Sequence, residues 1–207
     1  MPMTMTLRYL LLTAMISAGA GVSASWADSR FGHYVGKFVA EFGGDGRKVK
    51  LIEPYGYVDP AGEQWDVPAG YLTDGASVPS ALWALYPPFT GAYRSAAVIH
   101  DYYCDNKQRS WQDTHKVFYN AMRAADVDEN TAKIMYGAVY LFGPRWGPGT
   151  APGQRNAAPK ATPEQQEEMV EKLKTFVETE NPDLDSLEAH AKRMSSGPIM
   201  PLRKDGE

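Results

Sequence analysis

Cysteine is nearly absent. Cys104 is the one thiol in 207 residues, so no intramolecular disulfide can form, and the domain must be held by its core and by any ion it binds. Excess charge of one sign is also missing. The 21 Lys and Arg stand against 25 Asp and Glu, a formal charge of −4, and there is no long basic block of the kind that marks nucleic-acid binding. The apolar run Leu10 to Val22 is too short to span a bilayer. It follows a single basic side chain, Arg8, and precedes Ser23, Ala24, Ser25 and Ala27. That layout predicts a secretory signal peptide over residues 1–27, cleaved after Ala24 or Ala27. No cysteine follows it to carry a lipid. The mature chain is expected to be exported, periplasmic or secreted.

What is present falls into two textures. From Phe31 to about Leu72 the chain reads as strand and turn. Lys37–Phe42 and Lys48–Ile52, joined through Gly43-Gly44-Asp45-Gly46, predict one hairpin. Tyr55–Val58 and Gln64–Val67, joined through Asp59-Pro60-Ala61-Gly62, predict another. From Ala92 the pattern becomes helical. One helix is expected over Tyr93–Asp105. A second is capped by Ser110, with Thr114, Phe118, Ala121, Met122 and Ala125 on its apolar face. A third runs from near Asp128 to Gly143-Pro144, a glycine stop followed by proline. Residues 147–160 form a Pro/Gly/Ala linker. Thr162-Pro163-Glu164 opens a further helix that ends at Asn181-Pro182, and a shorter one covers Leu187–Met194. The expected architecture is α+β: β-hairpins, a three-helix core with its first two helices antiparallel, and a helical C-terminal extension. The expected divisions are 1–27 signal peptide, 28–146 core domain, 147–160 linker and 161–207 extension.

The residue pattern with most chemical content is Thr73-Asp74-Gly75-Ala76-Ser77-Val78-Pro79 followed by His100-Asp101-Tyr102-Tyr103, with Asp113 beyond. A carboxylate at Asp113 could accept the far N–H of His100 and fix its tautomer, leaving the near nitrogen to take a proton from water as a general base. Residues 100 and 101 lie about a hundred degrees apart around a helix, so Asp101 could reach an ion while His100 faces substrate. Asp74 and Asp101 with turn carbonyls around Gly75 make an oxygen-only ligand set, which suits Ca2+. Such an ion, with backbone N–H groups near Gly75, would stabilise an ester's oxyanion.

These segments, with the Asp113/Phe118/Met122 spacing, resemble the bacterial and phage domain-of-unknown-function family 1353, over roughly Trp65 to Trp146. In the same order they also resemble the secreted prokaryotic and fungal phospholipase A2 enzymes, which carry a calcium loop, a His-Asp-x-x-Tyr helix and a later Asp followed by Phe. The resemblance implies His100 as base, Asp113 as its partner, Asp74 and Asp101 as calcium ligands and Gly75 as a calcium-loop and oxyanion position. Ala76 stands where those enzymes have a disulfide cysteine, and Cys104 stands at the tyrosine of their helix motif.

Each residue also has a plain structural reading. Asp74 before glycine is an ordinary turn pair, a His-Asp pair on a helix is commonly a hydrogen-bonded core pair, and Ser110-x-x-Asp113 fits a capping box. His115 could ligate a metal, but its helix position predicts a solvated face. Cys104 has only His100 nearby as a base. Leu82–Phe89 reads as core aromatics or an apolar lip for lipid. The leading expectation is an exported, calcium-assisted, phospholipase A2-like hydrolase acting on a lipid or membrane-derived ester. The alternative is a non-catalytic cell-envelope or phage-derived interaction protein, with a protein partner on the C-terminal helices.

Overall fold

The computed structural model describes residues 29–43, 48–74, 79, 82, 91–152, 154 and 161–196. The expected signal peptide, Gly75, most of the Leu82–Phe89 segment and most of the end of the linker lie outside them. Among the described residues a short 3-10 turn, Ser29–Phe31, leads into six strands: β1 His33–Val35, β2 Ala40–Phe42, β3 Val49–Leu51, β4 Tyr55–Val58, β5 Gln64–Val67 and β6 Leu72–Thr73. Five helices follow among them: α1 Arg94–Asn106, α2 Trp111–Ala124, α3 Glu129–Phe142, α4 Pro163–Glu180 and α5 Leu184–Ser196. The fold is α+β, as expected.

Both expected hairpins form, and each gains a third antiparallel strand. β4 pairs with β5 and with β1, placing Tyr57 opposite both Trp65 and Tyr34. β3 pairs with β2 and with β6. Alternation sets the faces. Val49 and Leu51 are buried around exposed Lys50, and Trp65 and Val67 around exposed Asp66. The second turn is tied by one carboxylate. Asp59 accepts from the N–H groups of Ala61 at 2.9 Å and Glu63 at 3.0 Å, and from the Trp65 indole at 3.1 Å.

Helix ends follow their sequence signals. Ser110 caps α2, Asp128 caps α3, and Thr162 with Gln165 makes a reciprocal capping box on α4. The sheets meet the helices through tyrosines. Tyr34 donates to the Ala121 carbonyl at 2.7 Å, and Tyr103 accepts from the Asp66 N–H at 3.0 Å with its ring 4.7 Å from that of Trp65. α1 packs on α2, and α2 on α3. Against α3 lie both α4 and α5, whose Leu173, Val177, Leu187 and Ala191 belong to the same apolar core as the strands. Among the described residues no helix is long and apolar enough to cross a membrane.

The α3–α4 contact depends on a glycine. A Cβ at Gly137 would lie 2.7 Å from Cδ2 of Leu173, which is fully buried. Gly137→Ala is therefore expected to lower the unfolding free energy by about 1–3 kcal/mol through overpacking, although alanine is the better helix former. Urea unfolding checks this; an unchanged or raised midpoint would contradict it.

Candidate functional site

The alanine-rich run opening α1 makes a good helix former and lets the helix sit deep. Residues Ala96 to Asp101, with Tyr103 and Cys104, are all buried. His100 and Cys104 are four apart, so both point from one face of α1. That face meets α2 at His115. Nε2 of His100 is 2.9 Å from Nδ1 of His115, and Sγ of Cys104 is 3.5 Å from the same Nε2. The three side chains form a single cluster, with one donor atom from each within 4.8 Å of the others. Both histidines are 0% exposed.

The walls of the cluster are aromatic. The His100 ring stacks on Phe118, with centroids 4.8 Å apart and planes at 28°. Trp111 and Trp146 flank His115 at 5.5 and 6.4 Å. The Trp146 indole donates to the Arg109 carbonyl at 2.8 Å, which draws the segment after α3 back over the α1–α2 connection. The end of α3 completes the enclosure: a Cβ at Gly143 would meet the His115 ring at 3.0 Å, and Nε2 of His115 is buried without a hydrogen bond.

Burial sets the charge state. It pushes the His100 pKa down to about 3. His115 is held well below the ordinary imidazole range by burial first, then by His100 and the Arg145 guanidinium. Both rings are therefore neutral at pH 7. An imidazole with so low a pKa is a weak general base at that pH.

The outer nitrogen of His100 faces its neighbour in sequence. Nδ1 lies 3.9 Å from Oδ1 of Asp101 and makes no hydrogen bond within the normal limit. Asp101 is 2% exposed, and its Oδ2 accepts from the Thr73 hydroxyl at the end of β6. That bond joins the strand preceding Asp74 to α1.

The expected site residues are thus partly brought together. His100 and Asp101 are adjacent, Asp74 is exposed just beyond β6, and Gly75 lies outside the described residues. The expected pairing of His100 with Asp113 is not made. Asp113 is exposed in the first turn of α2, where it receives the Ser110 hydroxyl at 2.6 Å and its own N–H donates back to Ser110 Oγ at 3.0 Å. It lines a groove of about 460 Å³ with Asp59, Glu63, Trp65, Arg109 and Lys116. His100 instead takes His115. The expectation of a solvated His115 is corrected by the structure: Trp146 and the end of α3, both distant in sequence, bury it. Two signals for the cluster are present in the chain, the His100-x-x-x-Cys104 spacing and the Trp111/His115/Phe118 stripe at helical intervals. Two imidazoles and a thiol are nitrogen and sulfur donors, and calcium takes oxygen.

The energetic contrast is testable by urea unfolding. Thr73→Val removes a donor from a buried carboxylate and is expected to cost about 1–3 kcal/mol. Asp113→Asn alters an exposed cap and should cost under about 1 kcal/mol. Equal or reversed losses would contradict this placement.

A family model described as "Protein of unknown function (DUF1353)" matches residues 49–139, which include β3 to β6, α1, α2 and most of α3. Two similar proteins come from Sinorhizobium fredii (strain NBRC 101917 / NGR234). Uncharacterized protein y4iH is 38% identical over 161 residues, covering 72% of this chain and 67% of its own length. Uncharacterized protein y4jT is 42% identical over 139 residues, 66% of this chain but only 41% of its own length. No solved structure gives a significant match.

Proposed function

The chain belongs to the DUF1353 family of unknown function, and from that premise we propose that it is a non-catalytic interaction module of the cell envelope or of phage origin, whose His-Asp motif braces the helices. One observation carries the reading: His100 is wholly enclosed, is neutral at pH 7, and engages His115 rather than Asp113. A general base needs to reach water or substrate. A brace needs the enclosure that His100 has, between α1 and α2 and beside the carboxylate that holds β6. Exposed Phe42 and Leu72, on strands of one sheet, and Ile52, just beyond β3, give the module apolar surface to present to a protein partner. Export, expected from the first 27 residues, is part of the same proposal.

The calcium-assisted hydrolase remains the second reading, favoured by the Thr73–Asp101 bond, which ties the root of the Asp74 turn to the helix of His100. In that reading Asp74 and Asp101 hold Ca2+, and the substrate is a lipid ester.

One set of measurements separates the two. The brace reading expects His100→Ala to lose about 2–4 kcal/mol of stability, with Tm lower by several degrees. It also expects the wild-type protein to release no fatty acid from mixed-lipid vesicles with calcium. Fatty-acid release abolished by His100→Ala at unchanged Tm would overturn it. Calcium binding lost in both Asp74→Asn and Asp101→Asn would favour the second reading.

A further inference from the structure

We infer that His100, Cys104 and His115 form a binding site for a divalent transition-metal ion of the zinc class. The inference deepens the brace reading and rests on it, by naming what the brace holds. Three features of the cluster support it together.

The first is the donor set. Imidazole nitrogen and thiolate sulfur are the ligands preferred by Zn2+ and its neighbours and are poor ligands for calcium or magnesium. The cysteine would ligate as thiolate, its proton passing to solvent as the ion binds.

The second is the spacing. Zn–N bonds of about 2.0–2.1 Å and a Zn–S bond of about 2.3 Å place tetrahedral ligands about 3.3 Å apart for N···N and about 3.5 Å for N···S. Cys104 Sγ and His100 Nε2 are separated by 3.5 Å, and the two ring nitrogens by 2.9 Å. The first distance already equals a tetrahedral edge. The second opens to one by a few tenths of an ångström.

The third concerns the outward nitrogen of His100, which has the neighbour a ligating histidine requires. Metal-bound imidazoles hand their other N–H to a carboxylate or a backbone carbonyl. His100 Nδ1, buried and without a hydrogen bond, faces the Asp101 carboxylate, which Thr73 holds from the far side. His115 Nε2 is likewise buried without a hydrogen bond, beside the end of α3. With Nε2 on an ion, a neutral His100 carries its proton on Nδ1, on the side of Asp101. The aromatic walls of Phe118, Trp111 and Trp146 exclude competing water.

The test is a cobalt titration of the chelator-treated, folded full-length protein. The expected result is saturation at one Co2+ per chain with a thiolate-to-cobalt charge-transfer band, which only Cys104 can give, and displacement by Zn2+. His115→Ala should weaken binding at least tenfold, and zinc should raise the wild-type Tm. Absence of saturable binding, or cobalt bound without the thiolate band, overturns the inference. So does a band of unchanged affinity in His115→Ala. If that variant does not fold, X-ray absorption of the zinc-loaded wild type decides. One sulfur and two imidazole nitrogens support the site, and any other first shell overturns it. No cobalt binding alongside a lowered Tm in His100→Ala would remove the ion and leave the brace. Cobalt bound as expected with an unchanged Tm in His100→Ala would remove the brace.

Discussion

The fit of one imidazole between two helices governs the rest of the structure. His100 projects from α1 onto α2, stacks on Phe118 and meets His115 nitrogen to nitrogen. Enclosing polar rings is unfavourable unless their nitrogens are satisfied. The inner nitrogens meet each other, and the neighbourhood closes around them: α1 is alanine-rich and close, α3 ends in glycine at the ring of His115, and Trp146 folds back across the α1–α2 connection. Asp101 extends the same arrangement to the sheets by receiving Thr73. A ring that reached solvent would need none of these closures.

This enclosure links fold to function. The histidines are neutral because they are dry, and dryness makes them poor acid–base groups but good ligands. The same enclosure buries Cys104 beside them. Asp113, released from any role with His100, acts at the start of α2, where a carboxylate near the helix N-terminus is favourable in its own right. One constraint thus sets His100 against His115 and leaves Asp113 at the cap of α2.

Much of this was legible in the chain. Both hairpins, the Ser110 cap, the Gly143-Pro144 stop and the helix start at Thr162-Pro163-Glu164 follow from local chemistry, and each forms. His100 and Asp101 were also marked by their place after an apolar run. His115 was misplaced for a physical reason. Helical periodicity ranks faces by the apolar residues on the helix itself, whereas His115 is covered by residues about thirty positions downstream. Asp113 shows the converse: its capping role was visible locally, and only the three-dimensional position of His100 decides between cap and dyad.

His100 is a neutral, enclosed member of the fold. The most direct measurement is the proton-detected nitrogen-15 NMR spectrum of the histidine side chains as a function of pH. The account predicts that His100 and His115 each show one fixed neutral tautomer at pH 7. His100 should remain neutral through the range where a solvated histidine, with a pKa of about 6.5, takes up its proton. A His100 ring that averages between tautomers and protonates near that value would contradict the account and return the residue to solvent.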